Sequence, residues 1–135
     1  MLTMTQEDKN LLLRDLSARL SYGVIVKYKS REKEGNVKIT YGNIGYVAEL
    51  GKGWWIDCKP YLRPMSSMTE EERKERLSSF FQIVELNSGL TPLLSALKSF
   101  EYIDWLNSHH FDYHGFIEKS LAIEAPEGMY DLKEK

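Results

Sequence analysis

The chain of 135 residues holds one cysteine, so no internal disulfide can form, and no pair of thiolates is available to a metal. Long apolar runs are missing as well, and no basic segment followed by an apolar one precedes Thr3, which predicts neither a membrane span nor a secretory leader. A cytoplasmic protein is the expectation. The motifs that carry common chemistry are absent too. No G-x-S-x-G elbow, no G-x-x-x-x-G-K-[ST] loop and no G-x-G-x-x-G fingerprint occurs. The lone Cys58 reads as a small buried hydrophobe rather than a nucleophile. Strong charge of one sign is also lacking, the net value being −2. The distribution is uneven, however: residues 1–100 hold 15 Lys and Arg against 12 Asp and Glu, and residues 101–135 hold 3 against 8. That polarity can orient a partner but does not by itself mark a nucleic-acid binder.

What is present is an ordinary mixture for a folded chain, 42% hydrophobic and 28% charged, of a length that suits one domain with its own core. Thr3 or Thr5 can cap a first helix, and Leu12, Leu13, Leu16 and Leu20 recur at helical spacing until Gly23 stops it, giving an N-terminal helix within 1–22. The period then becomes two. Val24, Val26 and Tyr28 alternate with Ile25, Lys27 and Lys29, and after a polar turn Val37, Ile39 and Tyr41 alternate with Lys38 and Thr40. Ile44–Leu50 reads as a third strand, bent at Gly45, and Trp54–Cys58 as a fourth. Pro60 and Pro64 are expected to end the sheet, because proline cannot donate to a ladder. A β-meander over 23–64 results.

A helical region over 69–130 follows. Thr69 and Glu72 have capping-box spacing, and Leu77, Phe80, Phe81 and Val84 supply the apolar face of a helix from Glu70 to Glu85, ended by Asn87-Ser88-Gly89. Thr91-Pro92 opens another, with Leu93, Leu94, Leu97 and Phe100 available for burial and a restart near Ser99 before Tyr102–His109. Residues 131–135 form a frayed charged tail. The fold class is α+β: a small antiparallel sheet of four or five strands, curved, with an SH3-like partial barrel as one form of it, packed by the N-terminal and C-terminal helices. The whole of 1–135 is one domain.

Two sets of residues could carry function. His109, His110 and His114 fall within six residues beside Asp112. On a continuous helix His110 and His114 share a face, as two metal-binding imidazoles require, and a small metal-dependent hydrolase is then the alternative reading. Against it, Asp112 suits a helix N-cap, with Phe111 and Phe116 spaced as a hydrophobic staple, and a break there sends the two rings apart. The second set is a sheet face on which Lys27, Lys29, Lys38 and Trp55 could neutralise phosphates and stack bases, or grip a protein. Its bland counterpart is a core of Val24, Val26, Tyr28, Val37, Ile39, Tyr41, Trp54 and Ile56 beneath solvated lysines. The run Thr69–Arg76 needs no chemistry, since Glu70 with Lys74 and Glu72 with Arg76 make helix-stabilising i, i+4 pairs. The leading expectation is a non-enzymatic binding or accessory module without a cofactor, contacting nucleic acid or protein.

Two blocks, KPYLRPMSSMTEEE (Lys59–Glu72) and DWLNSHHFDYHGFIEKSLAIEAPEGMY (Asp104–Tyr130), resemble a group of short proteins carried by gut bacteria, prophages and other mobile elements. The resemblance implies a mobile-element origin and supplies no activity. The position of His114 is often arginine in that group, which speaks against a shared metal role for His110 and His114.

Overall fold

The computed structural model describes residues 4–75 and 91–130, with side chains from residue 100 onward in the second span. Thr5 is the cap that the first helix uses. Its hydroxyl accepts from the Asp8 amide at 3.0 Å while the Asp8 carboxylate accepts from the Thr5 amide, and α1 runs Gln6–Ala18. Leu12 and Leu16 are fully buried, and a 3-10 turn Leu20–Tyr22 delivers the chain to Gly23 at φ +70°, a conformation that costs glycine nothing.

Strand β1 (Ile25–Ser30) turns back into β2 (Glu34–Lys38), with Ile25 opposite Lys38 and Lys29 opposite Glu34. The expected third strand is instead a short helix, α2 (Ile44–Ala48). The reason lies in its spacing. Ile44, Val47 and Leu50 recur every three residues and all turn inward, whereas alternation would have buried Tyr46, which is exposed. Gly45 has open space around it and makes no bulge.

The chain returns as β3 (Trp55–Leu62), antiparallel to β1 on the side away from β2, and a two-residue β4 (Ile123–Glu124) pairs parallel to β3. The result is an α+β fold with one open, mixed sheet in the order β2-β1-β3-β4. Pro60 lies inside β3, opposite Val26, and does not end it. Ladder bonds alternate along β1, and Val26 spends its own on β2, so the missing Pro60 amide faces away from β1. A register shift between Lys29 and Ser30 sets Ser30 against Trp55 and leaves Ile56 as the extra residue of a bulge. That shift moves the fourth strand's inward set by one. Trp55 is buried, while Trp54 and Ile56 are exposed, as is Tyr41 beyond β2.

The Thr69–Glu72 capping box forms, with bonds of 2.9 and 3.1 Å, and opens α3, of which residues 70–75 are described. Leu77, Phe80, Phe81, Val84 and the stop at Asn87-Ser88-Gly89 lie outside the described residues. α4 (Thr91–Ser108) is continuous through Ser99, so the expected restart is absent, and Phe100 on it is exposed rather than buried. After α4 the chain threads back to the sheet: the Arg63 amide donates to the His110 carbonyl and the Asp112 amide to that of Arg63. Among the described residues, Leu12, Leu16, Val26, Trp55, Leu62 and Phe116 mark a core between α1, the inner sheet face and this returning segment.

Candidate functional site

The histidines sit where α4 ends, and each faces a different element. His109 closes the last turn of α4, with Nδ1 3.0 Å from the Trp105 carbonyl oxygen and its ring stacked on Trp105 at 4.2 Å. His110 adopts φ +64°, is buried, and stacks on Tyr130 at 3.6 Å with nearly parallel planes. His114 reaches across to α1, where Nδ1 lies 2.9 Å from Asp15 Oδ1. Asp112 is occupied otherwise: its carboxylate accepts from the amides of Phe116 and Ile117 at 2.8 and 3.0 Å. It caps turns rather than a new helix, for residues 113–120 contain no helix, although Phe111 and Phe116 are both fully buried as the staple spacing required. The four side chains named by the metal reading thus do not converge, and among the described residues no group of three or more His, Cys, Asp and Glu could hold a metal ion.

Beneath the histidines is a buried charge pair at the C-terminal end of α1. Arg19 Nε donates to Asp15 Oδ2 at 2.8 Å, with both side chains fully enclosed, and Arg19 Nη2 donates to the Phe111 carbonyl at 2.6 Å. The guanidinium lies 5.1 Å from the Tyr113 ring centre, and the Tyr113 hydroxyl donates to Asn107 Oδ1. Arg19 Nη1 is buried without a hydrogen-bond partner among the described residues. The signal was in the spacing: Leu12, Asp15, Leu16 and Arg19 share one helical face. A second node is Arg63, which forks onto both oxygens of Glu72 at 2.8 Å and lies over the Phe111 ring at 4.2 Å. The Arg63 hydrogen bonds hold the Glu72 carboxyl down at about 2.

The proposed contact residues divide between the two faces of the sheet. Lys27, Lys29 and Lys38 are exposed on the outer face, and Lys59 joins them as the cross-strand neighbour of Lys27. Trp55 does not. It is 3% exposed on the inner face, stacked on Tyr28 at 5.0 Å and touched by Tyr46 at 5.3 Å. Of the outer-face aromatics, Tyr61 is committed to Asn36, to which its hydroxyl donates at 3.0 Å. Glu34 and Asp57 flank Lys29 in register, yet none of the four ammonium groups makes an ion pair among the described residues.

Beside this face, an open hollow of about 700 Å³ is lined by Tyr22, Lys38, Tyr41, His110, Met129 and Tyr130, among others. Two of its phenols, those of Tyr22 and Tyr130, are engaged as hydrogen-bond donors. Tyr22 donates to Asp104, a bond that raises its pKa, and Tyr130 donates to the Tyr61 carbonyl while burial pushes its phenol up to about 12. Neither is a proton acceptor near neutral pH. Burial likewise raises the Cys58 thiol, which keeps it from acting as a thiolate.

No family model matches the chain, and neither does any curated protein or solved structure. No helix among the described residues is long and apolar enough to cross a membrane.

Proposed function

We propose that this chain is a non-enzymatic binding module that contacts the phosphate backbone of nucleic acid through the outer face of its sheet. The observation that carries the reading is the set Lys27, Lys29 and Lys38, exposed, with the half-buried Lys59 beside Lys27, all without an ion pair among the described residues and spread over three adjacent strands. Neighbouring strands are about 4.8 Å apart and alternate residues along a strand about 6.8 Å, so the ammonium groups can follow successive phosphates. Base stacking is not part of the proposal, since Trp55 and Tyr28 face inward; the contact is electrostatic and indifferent to sequence. A role in the cytoplasm as an accessory protein of a mobile element fits the resemblance of the Lys59–Glu72 and Asp104–Tyr130 blocks.

The test is binding to single-stranded and duplex DNA at two salt concentrations. With about four phosphates neutralised, duplex affinity should fall on the order of 100-fold between about 50 and 200 mM salt. Lys27→Ala/Lys59→Ala should weaken binding and lower the slope by roughly 2. Absence of binding at the lower salt, or binding insensitive to salt, removes the reading. The hydrolase alternative would need His109, His110, Asp112 and His114 to meet, and no observation favours it.

A further inference from the structure

β2 is an outer strand of the sheet, and among the described residues nothing but β1 pairs with it. The direction of its backbone groups follows from the two ends of the hairpin. Ile39 donates to the Val24 carbonyl at 2.9 Å and Ser30 to that of Lys33 at 2.7 Å, which makes the odd-numbered residues of the returning strand the ones bonded to β1. The amides and carbonyls of Glu34, Asn36 and Lys38 therefore point out of the sheet. Asn43 Nδ2, which reaches the Lys38 carbonyl at 3.0 Å from outside the ladder, agrees with that direction. All three residues are exposed, and β2 has neither a proline nor a bulge against β1, two of the means of blunting an edge; the charges it does carry, Glu34 and Lys38, are of opposite sign.

An edge with this phase pairs with a second copy of itself only where even residues face even residues. Centring the two-fold axis on Glu34 or on Lys38 sets like charges opposite one another, and centring it on Gly35 or on Val37 sets a charge opposite Asn36 with no charge pair within β2. Centring it on Asn36 sets Glu34 against Lys38 of the second copy at both ends, with Asn36 facing Asn36 and Gly35 facing Val37. Opposite charges directly across an antiparallel pair stabilise it, and like charges destabilise it. Closed two-fold pairing through one self-complementary patch is also the commonest way for a chain to assemble. The Asn36 amides and carbonyls can bond each other across the axis, and each Lys38 amide can reach Glu34 of the other copy without disturbing Asn43.

We infer that β2 is the interface of an antiparallel two-fold dimer of this chain, centred on Asn36 and held in register by paired Glu34–Lys38 contacts. The two sheets then become one, and the lysine faces of both copies lie on a shared surface. A five-residue edge is small, so association is weak, with a Kd of roughly tens to hundreds of micromolar. The inference does not depend on the nucleic-acid reading, because its test contains no nucleic acid.

Sedimentation velocity of the full chain, from about 10 µM to about 1 mM so as to bracket a weak interface, should show a monomer–dimer equilibrium. Glu34→Lys or Lys38→Glu alone should weaken it by about tenfold or more, since each places two like-charge pairs across the axis. The doubly reversed Glu34→Lys/Lys38→Glu chain should restore it. Asn36→Pro, which removes an outward amide that β1 does not use, should abolish it while circular dichroism shows the fold intact. A wild-type chain that stays monomeric throughout, single reversals without effect, or a double reversal that fails to restore association overturns the inference.

Discussion

Removing one half of the Asp15–Arg19 pair strands a charge in an interior that water does not reach. Arg19→Met leaves Asp15 with His114 alone, and Asp15→Leu leaves a guanidinium with only the Phe111 carbonyl and the Tyr113 ring. Each should cost about 3–5 kcal/mol, read as a fall in the urea midpoint. Asp15→Leu/Arg19→Met removes both charges at once and should cost clearly less than the sum of the singles. Additive losses would show that the two side chains act separately. The same pair marks where sequence reading stops. Its spacing put it beside Leu12 and Leu16, but charged residues on a helix usually face water, and what covers these is contributed by Phe111, Tyr113 and His114, nearly a hundred positions along the chain.

At the scale of elements, α3 is pinned to the end of β3 by Arg63 and Glu72. The Glu72 carboxyl ionises at about 2 in the fold against an ordinary 4.5, so its stabilisation is present above about 4.5 and is lost as pH falls toward 2. Glu72→Gln should therefore lower stability by roughly 2–3 kcal/mol near pH 7, and the gap to the wild type should close near pH 2. A gap that stays constant with pH would assign the loss to the capping geometry alone. Local signals of this kind were legible. The boxes at Thr5 and Thr69, the β1–β2 hairpin and the stop at Gly23 each depend on residues a few positions apart. Ile44–Leu50 was not, because seven residues with a glycine fit either period, and packing on α1 decided for the helix. Trp55 was assigned to the wrong face because one bulge residue, Ile56, inverts everything in β3 beyond it.

For the whole molecule, the segment that ends at Tyr130 is joined to the first strand through one hydroxyl. The Ile25 amide donates to Tyr130 Oη at 2.8 Å, and Tyr130 Oη donates to the Tyr61 carbonyl at 2.7 Å, so the phenol bridges β1 and β3 where their ladder ends. Tyr130→Phe keeps the ring on His110 but deprives the Ile25 amide of its acceptor. The cost should be about 1–3 kcal/mol, with faster hydrogen exchange at Ile25. Because the phenol sits at about 12 rather than 10, the wild type keeps this bridge below about 10 and loses it as pH rises toward 12. An exchange rate at Ile25 unchanged in the variant would show that the bridge does not limit local opening.

The Tyr130 bridge also bears on how the protein is made. Ile25 leaves the ribosome 105 positions before the side chain that completes its hydrogen bonding. At about 5–20 residues per second, the hairpin waits on the order of ten seconds for its partner. During that interval the inner face of β1 and the Leu12–Leu16 stripe lack Phe116 and Leu121, which share the finished core with them. The native arrangement is therefore reached after, and not during, synthesis of its first half.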